Sequence, residues 1–354
     1  MDRISFANAK LSDYCSRNLR RLRPHVSHVF IIHDARLPES LLRQVIAGVK
    51  ASNCPFTLIK AAHGERNKTL ASAEKLVTTI LKAKADRDSL VLAVGGGVTS
   101  DLSGFAAAIT LRGIRWACLP TTLLSMVDAG IGGKTAVNTG GNKNMIGAFH
   151  FPQFIHIDFR WLKSLPDYEF SSGLGELQKT ALLAGGRLWR ACQATKPAQF
   201  RKSTLALHEL IKLAARYKNK IVSSDPKEAN LRKILNLGHT FGHPIEMASA
   251  GKLSHGEAVS FGIHCALQHS AQLGLCKAKL LADNDTLCAR MGLDQHPKLK
   301  LPTAAILRRA LAHDKKSRDG KLSLVLLEKA GHPLVCDGYS VAEVAKIIIA
   351  NRYR

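Results

Sequence analysis

The eight cysteines contain no CxxC pair and lie dispersed along the chain. That argues against both a disulfide framework and a thiolate metal site. Several, Cys118 and Cys265 among them, sit inside apolar runs, where reduced buried thiols are the expectation. No uninterrupted apolar run approaches the ~20 residues needed to span a bilayer. The first residues, MDRISFANAKLSDYCSRNLRRLRP, lack an apolar signal core. A cytoplasmic protein that engages no membrane is therefore expected. There is no internal repeat and no Ser/Pro/Gly tract. Aromatic residues make up only 6%, and acids are scarce, 27 against 51 Lys and Arg, for a net charge of +24. Such a charge raises the question of nucleic acid, but nucleic-acid proteins gather their charge on one face and interleave aromatics. Here the basic residues run from Arg3 to Arg354. Specific nucleic-acid binding is not expected; faster capture of a small anionic ligand is.

What the chain does have is a core. Its 354 residues are 46% hydrophobic, enough for two domains. Short apolar runs at 26–33, 56–60, 90–94, 116–119 and 154–158 alternate with helical patterns such as 38–49 and 69–83. That alternation predicts an α/β domain with a parallel sheet. Past Leu165–Pro166 almost every segment reads as helix, from 169–184 to about 340–350, with one β-like patch at 322–327. The expected division is a nucleotide-binding α/β domain over 1–165 and a mostly α-helical domain over 166–354.

The stretch Ser89–Phe149 carries the densest signal. The run Leu90–Val94 breaks into Gly95, Gly96 and Gly97, and Asp101 follows in an Ala-rich helical segment. Glycines admit close approach of backbone N–H groups to a pyrophosphate, and a following helix N-terminus favours its charge. Thr121, Thr122, Asp128, Gly132, Gly133, Lys134, Lys143 and Asn144 complete the stretch. In the second half, Glu176 and Lys179 stand three apart on one helical face. Arg232, Asn236, His239 and His243 lie in LRKILNLGHTFGHPIE, and His255 and Glu257 in LSHGEAV. His239 and His243, four apart, could face one zinc ion, but the glutamate of an HExxH motif is missing. Spacing leaves open whether His243 or His255 supplies the second imidazole.

The motifs GGGVTSD, LRGI, PTTLLSMVDAGIGGKT, GNKNMIGAF, LKSLP, GELQK, NLGHTFGH, SHGEAV and HDKK, in this order from about residue 30 to 330, resemble those of the 3-dehydroquinate synthases within the sugar phosphate cyclases. The resemblance implies that NAD meets Asp34, Glu65 and Lys68 at its adenosine end. Gly96, Gly97 and Asp101 would line its pyrophosphate, with Thr121, Thr122, Asp128, Lys134, Lys143 and Ser164 nearby. Without the family, Glu65 and Lys68 read as an exposed ion pair at a helix start. The resemblance also makes Glu176, His239 and His255 the metal ligands, for Zn²⁺ with Co²⁺ able to replace it, and leaves His243 to handle protons. An anionic sugar phosphate, 3-deoxy-arabino-heptulosonate 7-phosphate, would be held at its phosphate end by Lys134, Lys143, Asn144, Asn236 and a lysine of HDKK (Lys315 or Lys316). Its carboxylate would meet Lys218 and Arg232, with Lys179 completing the pocket. Arg112 would reach across a homodimer interface. The implied activity is a lyase of the shikimate pathway: oxidation, β-elimination of phosphate, reduction and an intramolecular aldol closure.

The chain departs from the family pattern in places. Ser100 stands where glycine is usual and would crowd or tighten the NAD contact. Ala129 and Gly130 replace a serine pair, Ser254 a leucine and Ser164 a threonine. Asn230 replaces a glycine, and asparagine tolerates left-handed backbone.

Overall fold

The computed structural model describes residues 4–6, 11–140, 142–201, 204–249, 251–293, 302–312 and 321–351. Two compact units emerge, Met1–Leu165 and Pro166–Arg354. The first unit contains β1 (Ile4–Phe6), α1 (Leu11–Arg21), β2 (Val29–Asp34), α2 (Glu39–Ala51), β3 (Phe56–Ala61) and α3 (Leu70–Lys82). It continues with β4 (Leu90–Gly95), α4 (Gly97–Ile109), β5 (Arg115–Pro120), β6 (Lys134–Thr139), β7 (Asn142–Phe149) and β8 (Ile155–Ile157). Six strands form one parallel sheet in the order β1-β8-β5-β4-β2-β3. Every residue of β2 and β4 is buried, which is why they read as unbroken apolar runs. The edge strand β3 alternates buried and open positions instead.

The strand order fixes where a ligand can sit. From β2 the chain steps outward to β3, then crosses back over β2 to β4 and continues through β5 to β8. The reversal lies between β2 and β4, and in open α/β sheets the crevice beyond the strand ends at such a point accepts ligands. Asp34 ends β2, Gly95 ends β4 and Pro120 ends β5. The glycines and Asp34 thus flank the switch point.

The second unit holds α5 (Asp167–Ala184), α6 (Gly186–Ala194), α7 (Leu205–Ser224), α8 (His239–Ala248), α9 (His255–Gln272), α10 (Ala278–Met291) and α11 (Ala304–Ala312). An antiparallel hairpin, β9 (Lys321–Lys329) with β10 (His332–Ser340), precedes α12 (Val341–Ala350). The helical expectation holds here, with the single β-like patch widened to a hairpin. Among the described residues no helix is long and apolar enough to cross a membrane.

Three helices, α5, α8 and α9, approach at glycines. A Cβ on Gly175 would lie 2.2 Å from Gly256 O, and one on Gly256 2.2 Å from Ser172 O. On Gly242 it would meet Ala258 O at 2.5 Å, and on Gly262 it would meet Gly238 O at 1.9 Å. Gly238 itself has φ +79, a left-handed conformation that starts α8 and suits glycine. Backbone atoms cannot step aside, so Gly262→Ala should force α8 and α9 apart. Overpacking of this kind costs about 1–3 kcal/mol or more. Calorimetry should record a melting temperature lower by several degrees; an unchanged one would mean that the contact is not tight.

The cysteines conform to expectation. All eight are free, and five of them are buried. Burial pushes the Cys118 thiol up to about 12, far from thiolate reactivity at neutral pH.

Candidate functional site

In the first unit the glycine turn leads straight into α4, whose N-cap, Gly96, makes no side-chain capping bond. The first N–H groups of that helix therefore have no side-chain acceptor at the N-cap, as an anion site requires. The cradle is tight on its protein side. A Cβ on Gly96 would come 2.8 Å from Thr122 Cγ2, and one on Gly97 3.2 Å from Ala129 Cβ. Thr121 ties the neighbouring strand end to this turn, its N–H donating to Gly95 O at 3.0 Å. Thr122 exchanges bonds with Ser125. Asp128 lies in the π-helical turn Ser125–Ala129 that follows. The residues present fit a dinucleotide: a glycine turn, a helix start without a side-chain cap and an acid at the switch point.

Ser100 turns its hydroxyl onto the glycine turn itself. Its hydroxyl donates back to Gly97 O at 3.0 Å and Gly96 O at 3.2 Å, inside the first turn of α4. Ser164 likewise turns its hydroxyl to Trp161 O at 3.2 Å.

Lys68 corrects the ion-pair alternative. It is only 4% exposed, and its Nζ lies 2.5 Å from Asp101 Oδ2 and also donates to Asn144. Glu65 instead accepts from Asn138 Nδ2 at 2.8 Å. The fold thus gathers Lys68, Asp101 and Asn144 from three separate segments. Asn144 sits in left-handed backbone, φ 55, with its N–H held by Asn138 Oδ1 at 2.9 Å. Asp34 is held by His63 Nδ1 at 3.0 Å and by Arg36 N–H at 2.8 Å; nothing in the spacing marked His63. Lys134 opens β6, and both it and Lys143 are exposed. Arg112 is exposed in a turn where Leu111 (φ 49), Arg112 (φ 68) and Gly113 (φ 118) are all left-handed. Two consecutive non-glycine residues there store strain, which concentrates at functional turns.

In the second unit each proposed metal ligand stands beside a glycine of the helix contacts. Glu176 follows Gly175 on α5, His239 follows Gly238 and His255 precedes Gly256. The glycines let the helices close until these three side chains meet. Donor atoms of Glu176, His239 and His255 lie within 4.8 Å of one another. Both Nε2 atoms face Glu176 Oε1, at 3.4 Å from His239 and 3.1 Å from His255. Each far nitrogen is engaged elsewhere: His239 Nδ1 donates to Leu237 O at 3.1 Å and His255 Nδ1 to Glu246 Oε2 at 2.9 Å. A ring so anchored presents its other nitrogen to a cation. One carboxylate and two neutral imidazoles suit Zn²⁺ and leave coordination open.

Burial draws the His255 imidazolium down, but hydrogen bonds to Glu176 and Glu246 outweigh it and raise it to about 10. A bound cation would take the place of that proton. Glu176 is 0% exposed, and Lys179 Nζ lies 2.5 Å from its second oxygen. His243 packs edge-on to His239, ring centroids 5.0 Å apart, and belongs to a second grouping with Glu246 and His255.

Lys218 and Arg232 are buried cations, 6% and 3% exposed. Arg232 donates to Pro226 O at 2.8 Å. Backbone N–H groups of Arg232, Asn230 and Ala229 hold the Asp225 carboxyl below its usual range, so this acid organises the loop. Asn230 has φ −138; the left-handed tolerance expected of it is not used. Asn236 donates to Glu228 Oε1 at 3.1 Å. Glu228 itself is left-handed, φ 59, and sequence reasoning did not single it out. Glu257 is not a ligand candidate. It forms a capping box with Ser254 at the start of α9, which gives the unusual serine a role. Lys315 and Lys316 lie outside the described residues.

Comparison with known proteins identifies the family. Residues 58–172 match the model of the 3-dehydroquinate synthase N-terminal domain, and residues 173–317 that of its C-terminal domain. The chain is 41% identical over 340 residues to 3-dehydroquinate synthase of Dichelobacter nodosus, covering 96% of this chain and 89% of that one. With the enzyme of Rhodopirellula baltica it shares 36% over 333 residues, 92% and 87% of the two chains. Among solved structures, a 2-deoxy-scyllo-inosose synthase complexed with carbaglucose-6-phosphate, NAD⁺ and Co²⁺ superposes with a TM-score of 0.85. It is 25% identical and covers 98% of this chain and 95% of its own. A 2-epi-5-epi-valiolone synthase from Streptomyces hygroscopicus, with NAD⁺ and Zn²⁺ bound, gives 0.86 at 25% identity, over 99% and 96%. Family models over both halves, and relatives above 30% identity along most of its length, establish that this chain belongs to the 3-dehydroquinate synthase family.

Proposed function

We propose that the chain converts 3-deoxy-arabino-heptulosonate 7-phosphate to 3-dehydroquinate and inorganic phosphate, using bound NAD and Zn²⁺. The observation that carries this reading is the trio Glu176, His239 and His255, with both histidines anchored through Nδ1. When bound, NAD would accept and return one hydride and zinc would polarise two neighbouring hydroxyls of the sugar. The chain's own residues do the rest.

Asp34, Glu65, Lys68, Gly96, Gly97, Asp101, Thr121, Thr122, Asp128, Lys134, Lys143 and Ser164 hold the dinucleotide. Lys218 and Arg232 orient the substrate through its carboxylate, Arg232 by a planar fork suited to two oxygens. Lys134, Lys143 and Lys315 neutralise the phosphate while the amides of Asn144 and Asn236 donate hydrogen bonds to it, and together they ease its departure as a leaving group. Lys179 holds the Glu176 carboxylate in place through its second oxygen. His243 is placed to move a proton beside His239. Arg112 completes the site of a second copy in a homodimer, and the protein works in the cytoplasm. Because the hydride would return to the carbon it left, no net redox change is expected to accompany phosphate release.

Two buried cations, Lys218 and Arg232, favour this substrate over those of sibling cyclases, whose sugar phosphates carry no carboxylate for a planar guanidinium to grip. The test is direct. Purified protein given the heptulosonate phosphate and a catalytic amount of NAD should release phosphate without accumulating NADH. A chelator should abolish the release, and Zn²⁺ should restore it. Stoichiometric NADH would overturn the cyclase reading in favour of a polyol dehydrogenase.

A further inference from the structure

The geometry points to Glu246 as the residue that positions His255 for the metal, acting through hydrogen bonding and not as a ligand. This rests on the metal reading above and adds a residue to it. His239, His243 and Glu246 stand at i, i+4 and i+7 on α8, so all three project from one face of the helix. That face meets the start of α9, because Gly242 and Gly238 let the helices close upon Ala258 and Gly262. His255 is the first residue of α9, where no preceding turn packs against its side chain. Its ring needs a tether.

Two carboxylates supply one on each edge, Glu246 Oε2 at 2.9 Å from Nδ1 and Glu176 Oε1 at 3.1 Å from Nε2. A carboxylate can only accept, so both nitrogens carry hydrogen while no ion is bound. Nε2 shares Glu176 Oε1 with His239 Nε2 and is the one whose hydrogen a cation would replace, while Nδ1–H stays on Glu246. The second grouping, His243 with Glu246 and His255, makes the alternative explicit. If Glu246 were a ligand, the cation would compete for the nitrogen that Glu246 now holds, and the fully buried Glu176 would be left to one side. One imidazole nitrogen cannot both donate its hydrogen to Glu246 and bind the ion. The arrangement in which Glu176 binds and Glu246 orients uses every nitrogen once. An anionic acceptor also raises the basicity of the far nitrogen, which strengthens its bond to a metal.

The test measures metal, not turnover. Metal-free wild-type, Glu246→Ala, Glu246→Gln and His243→Ala proteins are titrated with Zn²⁺ against a competing chelator. Each is then loaded with Co²⁺ for its visible absorption spectrum. Glu246→Ala should bind one ion about 100-fold more weakly than wild type, and Glu246→Gln about 10-fold, because the amide oxygen still accepts but carries no charge. The Co²⁺ bands should keep their position and intensity in both, since the ligand set is intact, and His243→Ala should bind as wild type does. Melting curves check that the variants are folded, and the nearly isosteric Gln variant carries the test if the Ala variant is not. Wild-type affinity in both Glu246 variants overturns the inference. Co²⁺ bands that change as a ligand is lost overturn it too, by making Glu246 a ligand. A wild-type protein that takes up no ion is a different failure, since it removes the metal reading itself.

Discussion

His255→Ala should strip the protein of its metal, and His243→Ala should not. The two histidines lie in the same cluster, ring centroids 5.9 Å apart, and by spacing alone either could complete a site with His239. Geometry separates them. His255 Nε2 lies 3.1 Å from the fully buried Glu176, and its Nδ1 is anchored. Removing it leaves one carboxylate and one imidazole, too few to hold Zn²⁺ against a chelator. The loss should exceed the roughly 10–100-fold that disturbing an orienting partner produces. Metal analysis after gel filtration should find none bound, and phosphate release should be absent. His243→Ala should keep one ion per chain and lose rate, as expected of a group that moves a proton, typically worth about 10²–10⁴-fold. If His243→Ala strips the metal while His255→Ala keeps it, the ligand assignment is wrong.

That assignment shows where the sequence was readable. Glu176 and Lys179, three apart, were expected on one helical face, and they meet at 2.5 Å. The buried strands β2 and β4 were visible because apolar runs covered on both faces carry no polar interruption. The hairpin of β6 and β7 was not visible: NKNMIGAF is mostly exposed or half-exposed, so no burial pattern betrays it. The strand β10, HPLVCDGYS, holds a proline and a glycine and is broken by two register shifts, which conceals its alternation.

Long-range pairings were out of reach for a different reason. Lys68 meets Asp101 and Asn144 only after three segments fold together, whereas beside Glu65 in the sequence it looks like an ordinary exposed pair. Glu246 precedes His255 by nine residues across a helix end and a loop, and no helical or strand period links such positions. The glycines flanking Glu176, His239 and His255 were the one long-range signal in plain view. They mark where backbones touch.

Arg232→Met should lower kcat/KM for the heptulosonate phosphate by about 2–5 kcal/mol, roughly 30- to 5000-fold. That is the range for removing one partner of a desolvated charge pair. Arg232 and Lys218 are both nearly buried, where water screens their attraction for a substrate carboxylate far less than at an open surface. Part of the Arg232 guanidinium is spent on Pro226 O, which fixes the side chain in advance of binding and reduces the entropy cost of capture. Arg232→Lys keeps the charge but loses the planar fork, so it should recover only a fraction of the loss. A structural role alone would lower the melting temperature and leave the Lys and Met variants alike in kinetics. A carboxylate clamp predicts something else: the Met variant should lose its advantage for the acid over an analogue in which the carboxylate is replaced by a hydroxymethyl group. Measured with both substrates, the two efficiencies should converge in the Met variant. If the ratio between them stays at the wild-type value, Arg232 does not read the carboxylate. The case for this substrate over those of the sibling cyclases would then have to rest on Lys218 alone.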